Sequence, residues 1–183
     1  MNPQILSAVA FALIIAPPAL GDDLAAKVLR VFESTCGAPS KPDSLDAMDA
    51  LATAQGLSSL HGHPSRFDES FVWSFGEADP SNLELLVGVS QPHEKDRVFS
   101  CSVEADGGDP QILIDGLKSF ARLGEPERRE SVSPNRPGVT FILLYWNVAA
   151  FPLWARYRVA FTSEAPASLV NVNLSKGLPT APP

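Results

Sequence analysis

The chain has 183 residues with 14 basic and 21 acidic side chains, a formal net charge of −7 at pH 7. A chain this acidic is not expected to bind nucleic acid, which selects for clustered positive charge. The sequence also shows no nucleophile elbow, phosphate-binding loop or zinc-ligand spacing, and no motif that ties it to a named family.

Residues 1 to 21 are predicted to be a signal peptide. The apolar run ILSAVAFALIIAP has about the length of a signal-peptide core and is too short to span a membrane. Ala19 and Gly21 provide small residues at the positions that a signal peptidase reads, so cleavage is predicted before Asp22. No Lys or Arg precedes the run, which leaves an uncleaved anchor as the alternative. The predicted location is the bacterial periplasm or the exterior.

The two cysteines, Cys36 and Cys101, are predicted to form a disulfide. An even number of cysteines in an exported chain usually means a bridge. Alternation around Cys101 places it on the same side as Phe99 and Val103, toward the predicted core. The alternative is a pair of free, buried thiols.

Three amphipathic helices are predicted. The first covers residues 22 to 36, with apolar side chains four apart and acids in its first turn. The second runs from an N-cap in residues 43 to 44 to Gly56 as its C-terminal glycine. The third has Asp109 as N-cap, a proline after it and Gly124 as terminator.

Runs of alternating apolar and polar residues predict the strands. Three lie between the second and third helices, and the others follow the third helix: 71–75, 83–90, 98–103, a short strand near Ser131, 139–148, 153–163 and 169–172. Residues 139 to 148 are apolar on both parities, which predicts a central strand covered on both faces.

This order predicts an α+β fold, α-α-βββ-α-βββ(β), in which amphipathic helices pack on one face of an antiparallel sheet of about six strands. Short, hairpin-length connections require antiparallel neighbours, and each helix needs a sheet face to cover. Residues 22 to 173 are predicted to form a single globular domain, and residues 174 to 183 a disordered tail.

The second apolar run, residues 141 to 161, is predicted to be a hairpin and not a membrane span. Two arginines lie within it, Arg156 and Arg158, and each would cost roughly 2.5 to 3.5 kcal/mol inside a bilayer. Pro152 fits a hairpin connection, since proline is confined to edges and strand starts. No stable membrane insertion is expected after signal cleavage.

No catalytic, metal or cofactor site is predicted. The histidines His61, His63 and His93 have no nearby cysteine or closely spaced acid to complete a metal site, so solvated loop histidines are expected. Asp46 and Asp49 fall three residues apart on the second helix, which indicates a solvated face. An enzyme whose residues converge only in three dimensions stays an alternative.

The predicted binding surface lies in the basic second half of the chain. Residues 22 to 116 hold 6 basic and 17 acidic side chains (6 − 17 = −11), and residues 117 to 183 hold 8 and 4 (8 − 4 = +4). The candidate residues combine an aromatic ring with four guanidinium groups: Trp154, Arg156, Arg158, Arg128 and Arg129. The alternative is that these arginines only solubilise an exposed sheet face.

These features predict an exported, non-enzymatic interaction or accessory protein of the cell envelope that binds a protein or another anionic partner. A small hydrolase or metal-dependent enzyme is the first alternative. A small-ligand carrier is the second, and it would need a cavity behind Phe71, Trp73 and Phe75. No oligomeric state is predicted.

Overall fold

The computed structural model describes residues 20–37, 45–60, 71–76, 83–93, 96–132, 138–150 and 153–178. Residues 1–19 of the predicted signal peptide lie outside these ranges, as do His61, His63 and residues 179–183 of the predicted tail. Within the described ranges the fold is α+β, as predicted, with three helices and an antiparallel sheet.

The helices are α1 (Leu20–Thr35), α2 (Leu45–Ala54) and α3 (Pro110–Ala121). The predicted start of α3 is confirmed, because the Asp109 side chain accepts a hydrogen bond from the Gln111 backbone N–H at 2.8 Å. Its predicted end is wrong. Arg122, not Gly124, takes the left-handed conformation with φ of 53°, and the Leu123 N–H then bonds the Lys118 carbonyl.

In the described part of the chain the sheet has eight strands instead of about six. They are β1 (Ser58–Ser59), β2 (Phe71–Gly76), β3 (Glu84–His93), β4 (Asp96–Ala105), β5 (Glu127–Val132), β6 (Thr140–Ala150), β7 (Leu153–Thr162) and β8 (Val170–Leu178). The two-residue β1 has too few positions for alternation to be visible. The last strand also pairs as far as Leu178, so the predicted tail boundary at 174 is too early.

Strand order across the sheet is β1-β2-β3-β4-β8-β7-β6-β5, and all neighbours are antiparallel. Two meanders, β2-β3-β4 and β5-β6-β7-β8, therefore join where β8 pairs with β4. The chain passes through α3 between the meanders, which carries it from the middle of the sheet to the far edge. Among the described strands, β5 therefore lies at an edge and β6 is one strand in from that edge.

The core lies between the helices and one face of the sheet, which we call the helix face. α1 contributes Val28 and Phe32, and α3 contributes Leu113 and Leu117, all fully buried. Each such side chain contributes roughly 1.5 to 3 kcal/mol relative to an exposed one. α1 and α3 approach closely, because a Cβ added at Gly116 would overlap the Leu29 side chain.

The predicted disulfide between Cys36 and Cys101 is confirmed, with Cα atoms 5.4 Å apart and a sequence separation of 65. It ties the end of α1 to β4, with Cys101 fully buried on the helix face as its parity predicts. Disulfides persist in oxidising compartments, so the bond indicates an extracytoplasmic environment. In the ranges described above, no helix has the length and apolar character that a membrane crossing requires.

Candidate binding surface on the open face of the sheet

Alternation along β6 and β7 divides their side chains between the two faces of the sheet. Leu144, Trp146 and Val159 are buried on the helix face. The opposite parity places Tyr145 and Arg156 on the other face, which we call the open face. The expectation that β6 is a central strand covered on both faces is wrong, because β6 lies next to the edge of the sheet.

The centre of the candidate site is an aromatic ring contacted by two arginines. The guanidinium carbons of Arg129 on β5 and Arg156 on β7 lie 5.5 and 5.7 Å from the centroid of the Tyr145 ring. Cation–π contacts of this kind contribute roughly 0.5 to 1 kcal/mol at exposed positions. We call Arg129, Tyr145 and Arg156 the arginine–tyrosine cluster. It lies at the β5 end of the open face.

The two arginines of the cluster differ in their charge partners. The Arg129 Nε and Nη2 atoms donate to Glu127 Oε1 at 2.8 and 2.7 Å, so its charge is balanced within β5. The Arg156 Nε donates to the Asn147 side-chain oxygen at 2.7 Å, a neutral acceptor. Among the described residues, Arg156 has no ion pair. Its guanidinium is therefore held in position while its positive charge stays available.

A small cavity of about 90 Å³ lies within this arrangement, lined by Glu127, Arg129, Tyr145, Asn147 and Arg156. Its lining carries one negative and two positive charges, a net of +1 before any ligand enters. The size and the charge suit a single carboxylate. Arg is well matched to that group, because its planar fork of donors fits a carboxylate in a paired geometry.

A larger groove of about 510 Å³ adjoins the cavity and shares Glu127, Tyr145 and Asn147 with it. Its remaining lining comes from the segment after α3 and from β6: Arg122, Leu123, Gly124, Glu125, Trp146 and Val148. The Trp146 indole is committed to the fold, since its Nε1 donates to the Gly124 carbonyl at 2.8 Å. The groove thus contains both apolar and charged positions.

Arg158 shares the open face with Arg156 but lies in a different environment. It is half-buried and donates from Nη2 to the Asn171 side-chain oxygen at 3.3 Å. Asn171, only 5% exposed, donates in turn to Glu104 Oε2 at 3.2 Å. The Arg158 Nε is also buried, without an acceptor among the described residues. Arg158 therefore belongs to a polar network of the sheet, and of these two arginines on β7 it is Arg156 whose charge is available at the surface.

Burial raises the pKa of Glu104 above its ordinary value of 4.5. The hydrogen bond from Asn171 opposes this shift, the nearby carboxylates of Glu84 and Asp106 add to it, and the Arg158 guanidinium opposes it. The dominant cause is removal of the carboxylate from water. Glu104 sits in the middle of the sheet, away from the arginine–tyrosine cluster at its edge.

The other predicted residues are not all on one surface. Arg128 alternates with Arg129 along β5, so it points to the opposite side of the sheet, where it pairs with Glu130 at 3.0 Å. Trp154 pairs with Ala149 in the β6–β7 hairpin, and its side chain lies outside the described part of the chain. The structure therefore brings Arg129 and Arg156 together, places Arg128 on the opposite face, and engages Arg158 on the open face with Asn171 instead.

The structure describes only some of the residues considered for catalysis or metal binding. The described ranges contain no group of three or more His, Cys, Asp or Glu side chains able to hold a metal ion. Asp46 is exposed on α2 and Asp49 is half-buried there. The His93 backbone belongs to β3, but its side chain, like His61 and His63, lies outside the described part.

Sequence reasoning missed Tyr145, Asn147 and Glu127 as members of the site. Tyr145 lies in the run 139–148, whose apolar residues on both parities predict a covered strand, and Asn147 belongs to no recognisable motif in that run. The signal that could have identified them is the β6–β7 hairpin, because a short connection sets Asn147 opposite Arg156.

Comparisons with protein-family models, with curated proteins and with solved structures found no match to this chain.

Proposed function

We propose that this chain is an exported, non-enzymatic interaction protein, periplasmic or secreted, that binds an anionic protein partner through the open face of its sheet. The observation that carries the proposal is the Arg156 guanidinium, held by Asn147 and Tyr145 with no ion pair among the described residues. A preoriented charge on an exposed surface favours recognition, because little side-chain entropy is lost when the partner binds.

The charge distribution supports an anionic partner. The chain as a whole carries −7, but the cavity lined by Glu127, Arg129 and Arg156 carries a net charge of +1, so this locally basic site attracts acidic groups. Complementary charge also speeds association and suppresses wrong partners. A protein partner is favoured over a small molecule because arginine and tyrosine are enriched at protein interfaces, and both are at the centre of this site.

The disulfide supports the location. Cys36 and Cys101 are joined, and an intact bridge fits the periplasm or the exterior better than the reducing cytosol. The predicted signal segment points the same way. A partner in the cell envelope follows from this location.

The experiment is a pull-down from envelope extract with immobilised residues 22–183 in three forms: wild type, Arg156→Ala and Arg30→Ala. Arg30 is an exposed arginine on α1, so its variant matches the loss of charge away from the open face. We expect a protein that wild type and Arg30→Ala retain and Arg156→Ala loses. Retention should weaken with added salt, as for any contact dominated by exposed charges.

Two results would contradict the proposal. A partner retained equally by all three forms would place the interface elsewhere, and binding of all forms to anionic lipid vesicles alone would replace the protein partner with a membrane surface.

To confirm that recognition is by charge, acidic residues of the captured protein are replaced by their amides. Loss of capture by these replacements is the expected result.

A further inference from the structure

Among the described residues, the edge of the sheet next to the cluster leaves one strand position unpaired. β5 pairs with β6 only over Thr140 to Tyr145, where its first residue, Glu127, lies opposite Tyr145. β6 continues to Ala150 with β7 on one side and, among the described strands, no neighbour on the other. This free stretch, residues 146–150, is about 16 Å long at roughly 3.3 Å per residue.

The larger groove lies along this free stretch. Trp146, Asn147 and Val148 line it from β6, and residues 122–125 line it from the segment after α3. An exposed strand edge offers backbone donors and acceptors that an extended peptide can use, as in other cases of strand addition. A volume of about 510 Å³ is within the range of known ligand sites.

The two sides of the groove differ in chemistry, and this difference selects the peptide. Val148, 36% exposed, and Leu123 provide apolar surface on the helix face. Asn147 lies on the open face, beside the Arg156 guanidinium that it fixes. Because side chains of a strand alternate between faces, an added strand would present one set to Val148 and the other to Arg156.

The charges of the groove that have no partner are positive. Of its two acids, Glu125 is bound by Lys118 at 2.8 Å and Glu127 is bound by Arg129 at 2.7 Å. Arg122 lines the groove and, in the described ranges, forms no ion pair. Arg122 and the neighbouring Arg156 therefore favour acidic side chains on whatever segment enters.

We propose that the free stretch of β6 binds an extended segment of the partner as an added strand, with apolar side chains toward Val148 alternating with acidic side chains toward Arg156. This inference rests on the proposed function and specifies its partner: a protein with an exposed, extended segment in which Glu or Asp alternates with apolar residues. Main-chain hydrogen bonds to β6 supply affinity, and the two faces supply specificity.

The test uses capped peptides of about seven residues, long enough to cover the free stretch. One alternates glutamate with valine, a second has lysine for glutamate, and a third has the composition of the first with its glutamates grouped. Binding to residues 22–183 is measured by calorimetry, and backbone amide exchange of β6 is followed by NMR. We expect saturable binding of the alternating glutamate peptide alone, with those amides in residues 146–150 that point away from β7 gaining protection of about tenfold or more.

Variants separate the two sides of the groove. Arg156→Ala should lower the affinity for the alternating glutamate peptide about tenfold or more. Val148→Asp should lower it by a similar factor, because it places a charge opposite the apolar side chains of the peptide. Arg30→Ala, away from the groove on α1, should leave affinity unchanged. Equal affinity for the lysine peptide, or no saturable binding up to about 1 mM, would overturn the inference.

Amide exchange distinguishes failure of this inference from failure of the proposed function. One outcome is that envelope protein is captured through Arg156 but its addition gives the amides of residues 146–150 no further protection from exchange. In that case strand addition is wrong, and the proposal of an anionic protein partner is retained. If Arg156→Ala changes neither capture nor peptide binding, both are wrong.

Discussion

Arg156 and Asn147 face each other across the β6–β7 hairpin, and the arginine Nε donates to the asparagine side-chain oxygen at 2.7 Å. This single bond uses the Nε and leaves the terminal guanidinium nitrogens for an incoming acceptor. The Tyr145 ring contributes a second constraint from the same strand. A long, flexible side chain is thereby held in one orientation at an exposed site.

Asn147→Ala is predicted to weaken binding of the anionic partner by roughly two- to tenfold, although Asn147 need not contact it. Without the hydrogen bond, Arg156 regains rotamers whose loss costs about 0.5 to 1.5 kcal/mol on binding. Affinity is measured by calorimetry with the captured partner. Gln111→Ala, which removes an exposed side-chain hydrogen bond on α3, is the control. Equal weakening in both variants would speak against a role for Asn147 in orienting Arg156.

Arg158→Ala is predicted to lower the free energy of unfolding by about 1 to 3 kcal/mol, because it leaves the buried Asn171 oxygen without its donor. Arg156 is exposed, so Arg156→Ala should lower it by no more than about 0.5 to 1 kcal/mol, the value of its cation–π contact with Tyr145. Denaturant unfolding of the two variants provides a matched comparison on one strand. Similar losses in both would mean that Arg158 is not part of a stabilising network.

The contribution of Glu104 to stability is predicted to fall as pH rises. Its pKa in the folded state lies above 4.5, chiefly through burial, so its contribution is complete below that pH and is lost as pH rises through the folded-state pKa. Glu104→Gln keeps an acceptor for Asn171 but cannot ionise. The variant should therefore gain stability relative to wild type as pH is raised from about 4 to 7.

Urea unfolding across this pH range measures the difference, with Glu164→Gln, an exposed carboxylate between β7 and β8, as control. A gap between wild type and Glu104→Gln that stays constant with pH would show that the buried carboxyl does not titrate differently on folding.

Removing the disulfide by Cys36→Ala with Cys101→Ala is predicted to lower the free energy of unfolding by about 4 kcal/mol. Closing a loop of 65 residues restricts the unfolded chain, and the entropy model assigns a value of that size. Denaturant unfolding of wild type, of reduced wild type and of the double variant tests it. A double variant as stable as oxidised wild type would show that the disulfide does not stabilise the folded protein.

The features that sequence determined by itself are local ones. Asp109 begins α3 because its carboxylate can bond an N–H two residues away, and alternation along β7 assigns Arg156 and Val159 to opposite faces of the sheet. The Cys36–Cys101 bridge was also predictable, since two cysteines allow only one pairing within the chain. The cap and the strand faces follow from residues close in sequence, and the disulfide follows because each cysteine has only one possible partner.

Only the tertiary structure decided which strands are neighbours. Insertion of β8 between β4 and β7 brings Asn171 to Glu104, 67 residues away, and thereby makes Arg158 part of a buried network while Arg156 remains exposed. Alternation cannot distinguish these two arginines, because it reports the face of a sheet and not the strand on either side. The same is true of Arg129, which reaches Tyr145 because the chain crosses through α3 and places β5 on the edge beside β6.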